Sequence, residues 1–351
     1  MKLGIIGLES SGKTTVFNAL TGAEMAVGSF GKIEAHISMV KVPDERIDWL
    51  SSLYEPKKTV YADIEFVDIP GSINDSSDPK VVAAAREVDA LVFVLRAFVN
   101  DNVPHPLGGL DTARDFGSVM TGLIVADMLI AEKRIEKLEK SASKGIASDD
   151  EKLELEALKK VMLKLEDEKC ASEAGLTAPE EKAIRSFQLL TLKPFLTLVN
   201  VSDDALSSKG TADAVASLPN SMAMCANIEM EIRRLAEEDR KVFLEDLGIR
   251  ELSLNAFIRK AYQTLGLISF FTVGKDEVRA WTIPAGTPAV LAAGKIHSDL
   301  QRGFIRAEVF SYDDLKAKGS EREVKSAGLF RLEGKEYIVK DGDILSIKFS
   351  V

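Results

Sequence analysis

The stretch Gly7-Leu8-Glu9-Ser10-Ser11-Gly12-Lys13-Thr14 constrains this chain more than any other feature. It fits the pattern G-x-x-x-x-G-K-[ST], and its flanks are those the pattern requires: an apolar run at 2–7 that reads as a buried strand, and a helical stretch at 15–20. Glycines in such a loop let backbone N–H groups curl around phosphate oxygens. The helix that follows presents unsatisfied donors and the positive end of its dipole. Lys13 is placed to reach the β- and γ-phosphates and Thr14 to ligate Mg²⁺, while Gly7, Glu9, Ser10, Ser11, Gly12 and Thr15 line the nucleotide. Alternation of short apolar runs (2–7, 35–42, 59–67, 90–96) with helical stretches continues to about residue 125, the pattern of an α/β domain with a largely parallel sheet.

Two further motifs fall at predicted strand ends. Asp68-Ile69-Pro70-Gly71 matches D-x-x-G: Asp68 would hold magnesium through water, and the Gly71 N–H would sense the γ-phosphate. Asn200-Val201-Ser202-Asp203 follows the apolar run 194–199 in the register of N-K-x-D, with valine where that motif has lysine. A carboxylate at 203 can accept two hydrogen bonds from guanine, which adenine cannot donate, although a polar Asx turn would look the same. Asn200, Ser202 and Asp203 are therefore base-side candidates, joined on position alone by Cys225-Ala226-Asn227. The three histidines, His36, His105 and His297, are scattered and show no zinc-ligand spacing.

From 127 to 169 the chain is rich in Ala, Leu, Glu and Lys. Met128, Ala131, Ile135 and Leu138, and then Leu155, Leu158, Met162 and Leu165, recur at spacings of three and four. Two amphipathic helices joined near Gly145 form a coiled-coil-like hairpin, inserted into the α/β domain because strand signals resume at 194–200 and 221–226. A helical stretch at 229–265 precedes a β-rich tail with strand runs at 270–273, 278–283, 304–309, 337–339 and 344–349. No apolar run reaches the roughly 20 residues of a membrane span, and the glycine-rich N-terminus does not read as a signal peptide. Cys170 and Cys225 form no disulfide framework, so a reducing cytoplasm fits. A net charge of −10 argues against a chain-wide nucleic-acid coat. A monomer is the favoured state.

With these motifs in order, the chain resembles the YchF-type members of the Obg family, the Obg-like ATPases, over nearly its whole length. Val42-Pro43-Asp44, Leu190-Thr191-Leu192-Lys193-Pro194, Glu277-Val278-Arg279-Ala280-Trp281, Arg302-Gly303-Phe304 and Asp341-Gly342-Asp343 carry the likeness alongside the P-loop. The resemblance implies an α/β P-loop G domain (1–126 and 188–266), an inserted helical coiled-coil hairpin (127–187) and a C-terminal β-grasp-like TGS domain (267–351). It implies association with ribosomes or RNA, and a preference for ATP in many members. The sequence departs from the family at several points. Glu9-Ser10-Ser11 replaces the usual Pro-Asn-Val, which argues against potassium-assisted hydrolysis. Lys32 stands where the first switch carries a magnesium-binding threonine, 72–78 is polar and poor in glycine, and Asp203 replaces the usual glutamate.

The expectation is a nucleotide-dependent switch that hydrolyses ATP or GTP slowly with Mg²⁺, Lys13 and Gly71 acting on the γ-phosphate. Neither glutamine nor histidine follows Gly71 as a general base. The alternative, motivated by Lys32 and the rewritten second switch, is a module that binds nucleotide and ribosome or RNA without hydrolysis. In the tail, 13 Lys and Arg against 12 Asp and Glu leave no basic footprint by composition.

Overall fold

The structure, a computed structural model, describes residues 1–23, 25, 36–73, 78–205, 208–236, 239–240, 242, 244 and 251–350. Along the chain β1 (Lys2–Ile6) is followed by α1 (Lys13–Thr21), β2 (His36–Lys41), α2 (Glu45–Tyr54), β3 (Lys58–Val60), β4 (Asp63–Asp68), α3 (Pro79–Arg86) and β5 (Ala90–Ala97). Next come α4 (Thr112–Ser143), α5 (Asp149–Glu166), α6 (Ala178–Ile184), β6 (Phe195–Val201), α7 (Lys209–Ala216), β7 (Ser221–Met224) and α8 (Ala226–Arg234). Helix α9 (Ser253–Thr264) leads into β8 (Leu267–Thr272), β9 (Glu277–Pro284), α10 (Ala289–Ile296), α11 (Ser298–Arg302) and β10 (Phe304–Ser311). Then α12 (Tyr312–Lys318), α13 (Glu321–Ser326), β11 (Arg331–Glu333) and β12 (Asp343–Phe349) complete the order. The chain divides into two compact units, Met1–Ser38 with Glu65–Leu254, and Met39–Ile64 with Asn255–Val351.

The first unit is built on a six-stranded sheet in the order β2-β4-β1-β5-β6-β7. Its central pairs are parallel, β1 with β4 and β5, and β6 with β5 and β7. Strand β5 is buried at every position but the last, as a strand covered on both faces must be. Phe93 packs edge-on to Phe116 and tilted against Phe195, with ring centroids 5.5 and 4.9 Å away.

Helix α4 begins at Thr112, well before the 127 at which the sequence reading opens the hairpin. Asp111 caps its first turn by accepting the Arg114 N–H. Its first half buries Val119 and Leu123 against the sheet residues Ile6, Leu91 and Phe93. Its second half buries Ala131 and Leu138 against Ala157, Leu158, Val161 and Leu165 of α5. One 32-residue helix thus belongs to the α/β core at one end and to the hairpin at the other. The hairpin turns at Gly145, whose φ is +72°, and α5 restarts on a capping box between Ser148 and Glu151.

The second unit contains a sheet in the order β11-β10-β12-β8-β9-β3. Residues 59–67 read as one strand from sequence, but the run breaks at Tyr61-Ala62. Strand β3 pairs in parallel with β9 (Lys58↔Glu277, Val60↔Arg279), while β4 pairs with β1. Segment 39–64, assigned by sequence to the α/β domain, therefore supplies an edge strand and a helix to the second unit.

Two motifs remote in sequence meet there. Asp44 caps α2 by accepting the Arg46 N–H, and the Arg46 guanidinium reaches both Asp44 and Asp341 at 2.8 and 2.7 Å while lying over the Phe271 ring. Asp341 in turn accepts the Ser269 N–H at 2.9 Å. The Val-Pro-Asp and Asp-Gly-Asp segments thus do structural work in this unit. Four short helices between β9 and β11 were not legible as helices, and the run 337–339 yields a single bridge, Ile338 to Pro288, rather than a strand. Among the described residues, no helix is long and apolar enough to cross a membrane.

Candidate nucleotide-binding site

The loop between β1 and α1 lies at the carboxyl ends of the parallel strands, the usual ligand edge of such a sheet. Gly12 opens α1 with φ +92°, a left-handed conformation, and no side chain among the described residues caps the helix. A Cβ at Gly12 would lie 2.3 Å from Asn200 Nδ2, so space as well as conformation requires glycine. The first-turn N–H groups are left for an anion.

Lys13 is buried, and its ammonium donates to the carbonyls of Gly7 and Leu8 at 3.2 and 2.8 Å. Burial lowers its pKa to about 8, against the opposing pull of Asp68 and Glu9. A charge held this way gains most from a phosphate, because the phosphate replaces neutral acceptors with anionic ones. Glu9, Ser10 and their neighbours split by depth: Glu9 and Ser10 are exposed, Ser11 is buried, and Thr14 and Thr15 are half-buried.

Thr14 Oγ1 donates to Asp68 Oδ2 at 2.9 Å, bringing together the two residues assigned to magnesium from sequence. Asp68 is buried, and its other oxygen, Oδ1, has no hydrogen-bond partner among the described residues. Burial pushes its carboxyl above the ordinary range, with the Thr14 hydroxyl and Lys13 pulling it back. A hydroxyl beside a buried, under-coordinated carboxylate is a donor set of the hard-oxygen kind that Mg²⁺ takes, with phosphate and water completing it. Gly71 turns away from β4 at φ +101°, and a Cβ there would lie 2.7 Å from Val81 Cγ2 on α3.

Asn200, at the end of β6, uses both ends of its amide. Nδ2 donates to the Ser11 carbonyl at 3.1 Å and Oδ1 accepts the Ala226 N–H at 3.2 Å. It ties the P-loop to the start of α8. Cys225 is the residue before that helix and is buried, with its thiol pKa raised by burial; it reads as packing. Asp203 and Asn227 are exposed, Ser202 is half-buried, and Asp203 accepts no hydrogen bond from the described residues. The carboxylate proposed to read a base is thus solvated and unspent.

Comparison with known proteins agrees with this geometry. A family model described as YchF-GTPase_C, a protein of unknown function, matches residues 267–350, and MMR_HSR1, described as a 50S ribosome-binding GTPase, matches residues 2–118. The protein named ribosome-binding ATPase YchF from Bacillus subtilis is 42% identical, with 99% of each chain covered. Its namesake from Haemophilus ducreyi is 41% identical over 100% of this chain and 99% of its own. The chain belongs to the YchF family. The solved Schizosaccharomyces pombe YchF GTPase superposes with a TM-score of 0.86 at 31% identity, covering 99% of this chain and 97% of that one.

This YchF chain also places a histidine at the site that the spacing of its residues did not reveal. His105 Nε2 lies 2.9 Å from Asp115 Oδ2, and the Leu107 N–H donates to Nδ1, which assigns the imidazole proton to Nε2. Arg114 holds the other Asp115 oxygen at 2.9 Å. His105 and Asp115 line a small pocket together with Glu9, Ser11 and Arg96. Arg96 donates to the carbonyls of Phe98, Asn100 and Val103, fixing the loop that carries His105. The histidine and its partner stand ten positions apart, one in a loop and the other in the first turn of α4, so no motif announces the pair. Lys32 and residues 74–77, singled out as departures in the two switches, lie outside the described residues.

Proposed function

We propose that this chain is a ribosome-associated nucleoside triphosphatase working as a nucleotide-dependent switch, hydrolysing ATP or GTP slowly with Mg²⁺. The observation that carries the reading is the charged, dehydrated Lys13 ammonium within a loop whose helix N-terminus is uncapped. Triphosphate would take the place of the Gly7 and Leu8 carbonyls on Lys13 and accept the first-turn amides. Thr14 and Asp68 would hold the magnesium, which offsets charge on the β- and γ-phosphates. The Gly71 N–H is assigned the γ-phosphate, and Ser72, the residue that follows it, is neither the glutamine nor the histidine that would serve as a base. Hydrolysis then rests on positioning and electrostatics, and an unaided rate below roughly 0.1 s⁻¹ is expected.

The relatives' printed names give ATPase, and the solved structure's title gives GTPase. Asp203 supports guanine on chemistry, so both nucleotides belong in the test. The ribosome reading rests on the relatives' names and on the description of the matched G-domain model. Readout is assigned to the hairpin at 127–187 and the C-terminal domain at 267–351, in a cytoplasmic monomer. Single-turnover hydrolysis of ATP and GTP with Mg²⁺, run beside a Lys13→Ala control, tests the assignment. Tight binding without Lys13-dependent product would replace the switch hydrolase with a binding module.

A further inference from the structure

The lever on which the hairpin is built is clamped where it leaves the core. Arg86 is the last residue of α3, and its guanidinium is largely enclosed. Nη1 meets Asp127 Oδ1 at 2.9 Å and the Gln188 carbonyl at 3.0 Å, and Nη2 donates to the Ala126 carbonyl at 3.0 Å. Asp127 is fully buried on α4, and it accepts the N–H groups of Leu190 and Thr191 at 2.9 and 2.8 Å and the Thr191 hydroxyl at 2.8 Å. One guanidinium therefore grips the outgoing strand of the hairpin at 126–127 and the returning strand at 188. A second cation acts in the opposite direction. Lys193, just past the return, donates to the carbonyls of Ala85 and Arg86 at 3.1 and 2.5 Å and to that of Val88, covering the C-terminal end of α3.

The other end of α3 touches the nucleotide site. Val81 packs against Gly71, whose backbone has no room for a side chain beside it. A displacement of Gly71 toward Val81 would press on that side chain, and through it on α3, a helix of only eight residues. We infer that Arg86 is a positioning residue that transmits the state of Gly71 through α3 to the root of the α4–α5 hairpin. This rests on the switch reading above and adds the route by which the hairpin responds. From Asp127 to Ser143, α4 extends about 24 Å at about 1.5 Å per residue, so a pivot of about 10° at the clamp swings its far end by about 4 Å. A salt bridge serving stability alone would hold the same bonds in every nucleotide state.

Amide hydrogen exchange on the full-length chain separates the two. With Mg²⁺ and AMPPNP against Mg²⁺ and ADP, and likewise GMPPNP against GDP, peptides over 124–131 and 186–193 should differ in exchange rate by about fivefold or more, the low end of ordinary coupling. Arg86→Lys keeps the charge but cannot span Asp127 and both carbonyls, and Asp127→Asn keeps the size and loses the ion pair. Each should bring the two states together at the hairpin root while the P-loop peptides stay nucleotide-protected. Retention of the wild-type difference in both variants overturns the inference. If neither variant folds, the wild-type chain still decides, because equal exchange at the root in both states overturns it outright. A chain that binds neither nucleotide pair defeats the switch reading itself, whereas one that binds and shows no difference defeats only the coupling.

Discussion

Lys13 links nucleotide affinity to pH with a calculable slope. Burial lowers its pKa to about 8, whereas a bound polyphosphate would keep it charged well beyond that value. Above pH 8 the free protein has released a proton that the complex retains, so affinity falls as pH rises. The dissociation constant scales with 1 + 10^(pH − 8), which rises about tenfold between pH 7 and pH 9, about 1.4 kcal/mol. The same linkage requires uptake of about 0.9 proton per nucleotide bound at pH 9 and about 0.1 at pH 7. Titration of fluorescent ATP and GTP analogues over this range measures the slope, and calorimetry in buffers of different ionisation enthalpy measures the proton. Lys13→Met should bind weakly with no slope. Flat wild-type affinity from pH 7 to 9, with no proton uptake at pH 9, would refute the assignment of Lys13 as the buried phosphate ligand.

Three other substitutions test separate parts of the molecule. Asn200→Ala leaves the Ser11 carbonyl and the Ala226 N–H unpaired inside the protein, and should cost about 2 kcal/mol in denaturant unfolding along with weaker nucleotide binding; unchanged stability would show that water replaces the amide freely. Asp203→Asn should weaken GTP by about tenfold or more while leaving ATP within about twofold, since only guanine can donate a pair of adjacent hydrogen bonds to the carboxylate; equal effects on both nucleotides would remove Asp203 from base reading. Arg46→Met breaks the fork to Asp44 and Asp341 and should destabilise the second unit by about 1–2 kcal/mol without altering nucleotide affinity, as read by thermal unfolding beside a nucleotide titration.

What the sequence made legible follows from how local each interaction is. The P-loop announces itself because its amides, lysine and threonine lie within eight consecutive residues, and Asp68 is recognisable because a strand delivers it to the same edge. The hairpin stripes repeat at helical spacing and are visible for the same reason. By contrast, the start of α4 was hidden because Phe116, Val119 and Leu123 face a sheet while Ala131 and Leu138 face a helix, and the change of partner leaves no mark in the pattern. The run 59–67 alternates like one strand, and it is divided only because its first part pairs with β9, more than two hundred residues on, and its second with β1. His105 with Asp115, and Arg86 with Asp127, are pairs made by topology between residue types that usually sit in solvent. The base-side reading shows the same split: Asn200 was found by register, but its use as a staple between the P-loop and α8 required the fold.

The excursion of residues 39–64 into the second unit has a practical consequence for anyone dissecting this chain. No single cut releases the C-terminal sheet with all of its parts. A truncation before Leu267 discards Asp341 and Tyr312 but leaves behind Arg46 and Trp49, which pack on them, and leaves β3 without β9, the strand it pairs with. Loss of activity in such a fragment would mix a missing domain with a newly sticky surface. A transplant of that sheet onto another scaffold has to carry the early segment along with it.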